Sequence, residues 1–388
     1  MRILLISSVL PHNTTAGEVI LYRHFSQLPN LSLHIVTDTS RKIPSLKIPS
    51  FDIVELQAHW FLNRFSCTRF SSLSHDVMQC IHPFFNYTQL REYIKTHKFD
   101  AILTVAEGIH WIAAQQISKE SHIPLLTIFH DWWPNIAYIH PCLKSILEKR
   151  FKCLYQQSTV AFCVSEEMRR LLGTHPNAQI LYPIPDLLNA SAETHTRIGS
   201  QPFTLVYAGH LSHIYAPMLY SLSNCFQQFK ELNLKLFGPY PDWSEARIQA
   251  MEEKNIYGGF ISRNLLREKL KNASALLVTV SFEPKNRRWA ETSFPSKLVE
   301  YCQFGKPIIV WGPAYSSAVK WAQKYQSALV VTSNSAQDVV IAFKDLLAQK
   351  SKQENLANKA IEMAKSIFNP KTIQQQFAES IRLVITQK

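Results

Sequence analysis

Short runs of apolar and β-branched residues recur along the chain, and most are followed by a stretch in which apolar residues repeat every three to four positions. The first pattern is typical of buried β-strands and the second of amphipathic helices. In the first half of the chain the predicted strands are 3–7, 33–37, 53–56, 101–105, 124–129, 160–164 and 179–182. In the second half they are 204–208, 234–237, 256–260, 275–280, 307–311 and 328–332, before a long amphipathic tail over 335–386.

Strands that alternate with helices predict an α/β fold with parallel sheets covered by helices on both faces. The series is too long for one sheet, and a polar stretch flanked by prolines marks a linker. We therefore predict two Rossmann-like domains, 1–186 and 203–370, joined by a linker over 187–202, with their parallel sheets facing across a cleft. The last segment, 371–388, is predicted to be a helix that packs back toward the first domain. Segment 57–87 fits neither periodicity, and we interpret it as an insertion that faces the cleft or a partner.

The composition is that of a folded protein, with 46% hydrophobic and 18% charged residues. No apolar run reaches the ~18 residues that span a bilayer, and the apolar opening Met1–Ile6 is too short for a signal peptide. We therefore expect a cytoplasmic protein. The seven cysteines are scattered without a C-x-x-C pair, which indicates reduced thiols and no metal site.

Glycine is scarce in this sequence, with ten residues where average usage predicts roughly 27. Neither a G-x-G-x-x-G motif after the first strand nor a P-loop motif occurs. The glycine-rich loops that let a backbone close on a dinucleotide or on ATP phosphates are therefore missing. This pattern disfavours a Rossmann dehydrogenase and a P-loop enzyme.

The formal net charge of +12 is unevenly distributed, with +3 in residues 1–186 and +9 in residues 187–388. A basic surface attracts ligand phosphates, nucleic acid or an anionic membrane. No basic run with interleaved aromatic residues is present, so we predict no nucleic-acid partner. The basic half and the aromatic segment 57–87 allow weak peripheral contact with a membrane surface, although a solvated surface explains the same charge.

The most informative segment reads TSFPSKLVEYCQFGKPIIVW and covers residues 292–311. Its proline–serine pair is typical of a helix start, and its glycine is typical of a helix end before a buried strand. The first N–H groups of such a helix, at Ser296–Leu298, form a site for a diphosphate. Glu300 lies one turn further along the same face, where a carboxylate can accept both hydroxyls of a ribose. This spacing fits a nucleoside diphosphate.

The stretch FPSKLVEYCQFGKPII resembles the donor-binding element of GT-B glycosyltransferases, in particular the family-4-like group (glycosyl transferases group 1). The order of elements over nearly the whole chain fits the same family, as do YAGH at 207–210 and SEEM at 165–168. The resemblance implies transfer of a sugar from a nucleoside diphosphate sugar to an acceptor, bound mainly by the first domain. It also implies retention of anomeric configuration, no bound metal and no separate cofactor. The acceptor, whether glycan, lipid-linked or protein, is not identified by the sequence.

Two positions depart from the family pattern. Thr292 stands where the family often has a second glutamate, and Glu291 beside it is a candidate substitute. After Gly209, His210 and His213 stand in place of the usual arginine and lysine.

Basic residues elsewhere in the second domain are candidates to meet the phosphate charge. These candidates are Lys285, Arg287, Arg288 and Lys297. The run Lys-Asn-Arg-Arg that contains three of them is equally typical of a solvated loop. Glu283 and Glu291 share an E-x7-E spacing, which we interpret as a chance match because neither is the glutamate of the PSKLxE motif.

In the first domain, the sequence TTAGE with Gly17 resembles the loop that approaches the donor phosphates, and an ordinary strand-to-helix turn explains it equally well. His130 directly follows a predicted strand and resembles the histidine that family members often place near the transferred sugar. A structural histidine bonded to a backbone carbonyl is the alternative. Asp131 orients His130 or caps the next helix. We take His130 and Asp131 as the catalytic candidates.

Two residues are candidates for the acceptor side. Trp132 packs in the core or stacks on a sugar ring. Glu107 closes the preceding strand and either lines the acceptor side or simply leads into a helix.

Two other functions are compatible with the same motifs. A sugar-nucleotide epimerase or hydrolase would turn over the donor without an acceptor. A degenerate GT-B protein would bind a sugar nucleotide or a partner without catalysis, as the departures at Thr292 and His210 suggest. No G-x-S-x-G motif or other recognisable nucleophile is present.

Overall fold

A computed structural model describes residues 1–12, 16–26, 28, 31–38, 51–56, 73, 76–77, 79, 87–186, 202–211, 214–239 and 241–386. Most of the predicted insertion 57–87, the linker residues 187–201 and the single residue His213 lie outside this part of the chain. The chain divides into two compact units. The first contains residues 1–184 and 371–388, and the second contains residues 185–370.

The first unit alternates strands and helices. Its elements up to residue 184 are β1 (Arg2–Ile6), α1 (Ala16–Phe25), β2 (Ser32–Asp38), β3 (Phe51–Leu56), α2 (Tyr87–Thr96), β4 (Ala101–Val105), α3 (His110–Ser121), β5 (Leu125–Phe129), α4 (Trp133–Ile136), a 3₁₀ turn (Pro141–Leu143), α5 (Lys144–Gln157), β6 (Val160–Cys163), α6 (Glu166–Leu172) and β7 (Ala178–Ile180). These strands form one parallel sheet in the order β3-β2-β1-β4-β5-β6-β7.

The second unit repeats this alternation. Its elements are β8 (Phe203–Ala208), α7 (Ala216–Phe226), β9 (Leu232–Phe237), α8 (Glu245–Glu253), α9 (Arg263–Asn272), β10 (Ala275–Thr279), a 3₁₀ turn (Pro284–Asn286), α10 (Arg287–Thr292), α11 (Ser296–Cys302), β11 (Ile308–Trp311), α12 (Ser317–Tyr325), β12 (Leu329–Val331), α13 (Ala336–Ala348) and α14 (Lys350–Lys365). The five strands form a parallel sheet in the order β12-β11-β10-β8-β9.

The predicted α/β class with two parallel Rossmann-like sheets is confirmed. Strands β4 and β10 are buried at every position, which is expected of strands covered on both faces. The helices cover them with apolar faces. Leu147, Phe151 and Leu154 of α5, for instance, are fully buried in the first core.

One predicted strand is absent from the described residues of the second unit. In place of a strand over 256–260, Tyr257 makes a single isolated bridge to Leu236. The backbone then turns away because Gly259 adopts a left-handed conformation with φ of +72°.

The tail predicted as one amphipathic stretch is three helices. They are α13, α14 and a last helix, α15 (Pro370–Thr386). Most of α15 belongs to the first unit. There Gln374 Nε2 donates to the His24 carbonyl at 2.6 Å, and the Phe377 ring lies 5.1 Å from the His24 ring.

None of the helices in the described part of the chain combines the length and hydropathy that a membrane crossing demands.

Candidate functional site

The carboxyl ends of β8 and β9 lie together at one edge of the second sheet, where open parallel sheets bind ligands. A glycine follows each strand, Gly209 with φ of +147° and Gly238 with φ of +159°. A Cβ on Gly209 would lie 1.8 Å from Lys297 Cε, and one on Gly238 would lie 1.9 Å from the Gly209 carbonyl oxygen. Both glycines are therefore required for the close approach of backbone and side chain at this edge.

Lys297 reaches back from the first turn of α11 to the end of β8. Its Nζ donates to the Tyr207 hydroxyl at 2.9 Å and lies 4.4 Å from the centre of that ring and 5.3 Å from that of Tyr215. The Tyr207 hydroxyl in turn donates to the His210 carbonyl at 2.6 Å. The half-buried lysine is therefore held in one place by aromatic and polar partners.

The charge state of Lys297 follows from this enclosure. Burial lowers the pKa of Lys297 to about 8, and the carboxylate of Glu300 opposes part of that shift. The ammonium form still dominates at neutral pH. A cation beside an aromatic pair and a helix start is a suitable partner for a phosphate.

The start of α11 differs in one respect from the sequence prediction. The Leu298 amide donates to the Pro295 carbonyl at 3.0 Å, so it is already used within the first turn. The amides of Ser296 and Lys297 make no such bond to another described residue. The predicted diphosphate site at Ser296–Leu298 therefore reduces to two amides and the Lys297 ammonium.

Tyr301 fixes α11 against the end of β8. Its buried hydroxyl accepts from the Ala208 amide at 2.8 Å and donates to the Ala208 carbonyl at 3.3 Å. Burial raises the pKa of Tyr301 and of Tyr207, so both phenols stay protonated. Neither tyrosine was singled out from the sequence, although both lie in the quoted motifs. Glu300, which precedes Tyr301, is partly exposed, and its role as the ribose ligand stays a prediction.

The arginines of α10 pair with their own helix. Arg287 Nε and Arg288 Nη1 lie 3.1 Å and 3.2 Å from the two carboxylate oxygens of Glu291, whose side chain is 15% exposed. Glu291 is thus neutralised locally, which weakens its candidacy as a substitute ribose ligand. Thr292 is buried, and its hydroxyl donates to the Arg288 carbonyl at 2.8 Å. The prediction that Thr292 contacts the donor is therefore corrected, because its hydroxyl is used inside the helix.

The remaining predicted donor residues differ in exposure. Lys285 is 77% exposed and pairs with Glu283 at 2.9 Å, which favours the interpretation of a solvated loop. His210 is exposed, and its carbonyl binds Tyr207. Gly17 lies inside α1, not in a loop, and a Cβ there would meet only Val9 at an ordinary 3.8 Å. Thr14 and Thr15 of the predicted donor loop lie outside the described residues, so the role of Gly17 in that loop stays a prediction.

In the first unit, the ends of β1, β4 and β5 are neighbours at the same sheet edge. The Ser8 hydroxyl oxygen accepts from the Ile109 amide at 3.1 Å and lies 2.5 Å from His110 Nδ1. A Cβ on Gly108, whose φ is +69°, would overlap this hydroxyl. Glu107 is half-buried in the tight turn before α3, and its predicted acceptor role is untested by this geometry.

His130 directly follows β5 and is buried, with 9% of its surface exposed. Burial lowers the pKa of His130 to about 4, so the imidazole is neutral at pH 7. Its Nδ1 has no hydrogen-bond partner among the described residues. Asp131 therefore does not orient this nitrogen, and the residue at the N-cap of α4 is Trp132, not Asp131. The predicted capping role of Asp131 is corrected, whereas an orienting contact to the other ring nitrogen of His130 stays a prediction.

Trp132 belongs to the core of the first unit. Its ring is 1% exposed and lies 5.3 Å from the Phe151 ring. Such a ring offers no face to a sugar, so the predicted acceptor-side role is wrong and packing explains this tryptophan. The described residues also contain no group of three or more His, Cys, Asp or Glu side chains that could hold a metal ion.

His24 is a buried neighbour of His130 that the sequence did not reveal. Both of its ring nitrogens lack hydrogen-bond partners among the described residues. The pKa of His24 is lowered to about 3, mainly by burial and to a smaller extent by the nearby His130 and Arg23. Two neutral imidazoles are thus enclosed between α1, the end of β5 and α15.

The histidine pair predicts acid-sensitive stability. The unfolded chain protonates each histidine near pH 6.5, whereas the folded chain does not until much lower pH. Stability is therefore complete above pH 6.5 and decreases as the pH falls, by about 2 kcal/mol per histidine at pH 5. Urea unfolding at pH 7 and pH 5 should show the decrease, and His24→Leu should remove about half of it. The exposed control His122→Asn should keep the wild-type dependence; an unchanged dependence in His24→Leu would contradict the assignment.

Comparisons with known proteins agree with this architecture. The model of Glycosyltransferase Family 4 matches residues 67–181, and that of Glycosyl transferases group 1 matches residues 196–363. No curated protein matches the chain by sequence.

Several solved structures have a similar fold. Sucrose-phosphate synthase from Thermosynechococcus elongatus superposes with a TM-score of 0.69 at 16% identity, over 100% of both chains. HepE from Anabaena in complex with UDP superposes with a TM-score of 0.67 at 14% identity, over 99% of this chain and 100% of that one. An α,α-trehalose-phosphate synthase (UDP-forming) from Burkholderia vietnamiensis superposes with a TM-score of 0.63 at 12% identity, over 99% of this chain and 100% of that one. With both family models and the two parallel-sheet units in agreement, the chain belongs to the family-4-like GT-B glycosyltransferases.

Proposed function

We propose that this glycosyltransferase transfers a sugar from a nucleoside diphosphate sugar, with the donor nucleotide bound at the carboxyl edge of the second sheet. The observation that carries the proposal is the Lys297 ammonium, held at the end of β8 by Tyr207, one turn before Glu300. Gly209 leaves the space that this lysine occupies. The similar HepE structures hold UDP and UDP-glucose, so a uridine diphosphate sugar is the first donor to test.

The residues at this edge of the second sheet would stabilise the leaving diphosphate. When the bond between the sugar and the phosphate oxygen breaks, negative charge grows on the diphosphate. The Lys297 ammonium and the amides of Ser296 and Lys297 would bind that charge. Glu300 would hold the ribose and fix the position of the diphosphate. The acceptor hydroxyl, bound by the first unit, forms the new glycosidic bond as the bond to the diphosphate breaks, and its proton passes to the departing diphosphate oxygen, with retention of configuration and without a bound metal.

Calorimetry with a panel of nucleoside diphosphates tests the donor site. UDP is expected to bind the wild type, and Glu300→Ala is expected to lose about 10- to 100-fold in affinity, since a charge-assisted hydrogen bond contributes about 1.5–3 kcal/mol. Glu252→Ala on the exposed face of α8 is the matched control and should bind like the wild type. The same titration in EDTA should give the same affinity if no metal takes part.

Two results would reject the proposal. One is a wild-type protein that binds none of the nucleotides. The other is Glu300→Ala binding as tightly as the wild type, which would leave the ribose without its predicted ligand.

A further inference from the structure

Three large apolar side chains project into solvent within a short segment of the first unit. Ile136, Tyr138 and Ile146 are 46%, 76% and 43% exposed. We call them, with the cationic side chains of α5, the 136–152 surface. This cluster is unusual because exposed apolar side chains in a folded protein are normally scattered singly.

The fold itself makes these side chains project. Between α4 and the 3₁₀ turn, burial alternates, with Ala137 and Ile139 buried and Tyr138 exposed between them. The segment is tied down because the His140 amide donates to Asp76 Oδ1 at 2.6 Å. On α5, Leu147 points into the core and Ile146, its neighbour, points out. The apolar surface is therefore a fixed feature of this unit.

The charges around these side chains are mostly positive. Segment 133–157 contains four cationic residues, Lys144, Lys149, Arg150 and Lys152. Its one acidic residue, Glu148, pairs with Lys152 at 3.1 Å. Lys149 and Arg150 lie three and four residues after Ile146, on the same helix face. Exposed apolar residues and cationic residues thus occur together in this segment, which has a net charge of +3, although Arg150 is half-buried and its Nη1 is fully buried.

We propose that the 136–152 surface binds the headgroup region of an anionic phospholipid membrane. Exposed aliphatic side chains and a tyrosine suit the membrane interface, and each nearby lysine adds attraction to anionic lipid. A protein partner fits less well, because lysine is depleted from the cores of protein interfaces. The similarly exposed Ile341 on α13 shows the contrast, since its helix contains Asp338 and Asp345 and a single lysine. This proposal does not depend on the nucleotide assignment.

Sedimentation with vesicles tests the proposal on the full chain. The wild type should pellet with phosphatidylcholine vesicles that contain phosphatidylglycerol, and much less with phosphatidylcholine alone or at high salt. The double variant Tyr138→Ser/Ile146→Ser should lose about tenfold in vesicle affinity. The matched control Ile341→Ser should bind like the wild type. Because all three positions are exposed, the variants should keep the wild-type melting temperature.

A second variant gives a direct signal. Tyr138→Trp should show a blue shift of its added emission on anionic vesicles and none on neutral ones. Three results would overturn the proposal: no pelleting of the wild type, equal vesicle binding by the double variant, or an equal loss in Ile341→Ser. A wild-type oligomer in gel filtration that dissociates in Tyr138→Ser/Ile146→Ser would also overturn it, by assigning the surface to a protein interface.

Discussion

Replacing Lys297 by methionine is expected to lower kcat/KM for a UDP-sugar by about 100- to 1000-fold, the usual cost of removing a group that stabilises charge in the transition state. Methionine has nearly the length of lysine and lacks only the ammonium. The Tyr207 hydroxyl keeps its bond to the His210 carbonyl. The fold should therefore survive, since replacing a desolvated charge by an apolar side chain is often neutral for stability. Steady-state kinetics and a thermal melt of the same sample separate the two effects.

The pH dependence of nucleotide binding gives an independent signature of this lysine. Because the pKa of Lys297 is about 8, UDP affinity of the wild type should decrease as the pH rises above 8, toward tenfold per pH unit. A bound diphosphate favours the charged form of Lys297. The pKa that sets the pH dependence of UDP affinity is therefore that of Lys297 in the free enzyme. Lys297→Met should bind weakly and lack this decrease. If Lys297→Met retained it, another group would be responsible.

Lys285→Met is the comparison for Lys297→Met. Its ammonium is 77% exposed and paired with Glu283, so we expect less than a threefold change in kcat/KM. An equal loss in both variants would mean that the charged loop, and not the enclosed lysine alone, neutralises the diphosphate.

The fold could be predicted from local patterns because its signals are local. Buried strands such as Ala101–Val105 are continuous apolar runs, and their helices carry clear amphipathic periods. The stretch 256–260 carries the same apolar signal but contains Gly258 and Gly259. A Cβ on Gly258 would lie 2.3 Å from the Phe237 ring, and Gly259 is left-handed. Such steric conflicts involve residues of the neighbouring strand, and the local sequence pattern carries no information about them.

The site was less predictable because it depends on contacts between distant parts of the chain. The PSKL motif located Lys297 and Glu300. Tyr207 holds Lys297, and Gly209 leaves the space that it occupies. Both residues lie about 90 positions earlier in the chain and come close to Lys297 only when β8 and α11 pack together. For Trp132, the sequence predicted a ligand contact that the structure does not show. Its position after His130 at a strand end suggested a ligand contact, whereas the Phe151 ring from α5 encloses it.

Gly209→Ala should lower kcat/KM nearly as much as Lys297→Met, because the two changes affect the same ammonium. The new Cβ would lie 1.8 Å from Lys297 Cε and 2.0 Å from Nζ, so the lysine must leave its place over Tyr207. A φ of +147° is also unfavourable for alanine, and we expect a loss of about 1–2 kcal/mol in stability. Gly17→Ala is the matched control. It lies in the first turn of α1, where a Cβ would meet only Val9 at 3.8 Å, so it should gain about 0.5–1 kcal/mol in stability.

A double-mutant cycle decides whether Gly209 acts through Lys297. If it does, Gly209→Ala/Lys297→Met should be about as slow as Lys297→Met alone, because the displaced group is already gone. Additive losses would show that Gly209 affects donor binding by a separate route, for example by letting the backbone approach the nucleotide. The cycle needs kcat/KM for four proteins with one UDP-sugar, and melting temperatures that confirm each is folded under assay conditions. Near-complete non-additivity would identify the glycine at the end of β8 as the residue that makes room for the lysine.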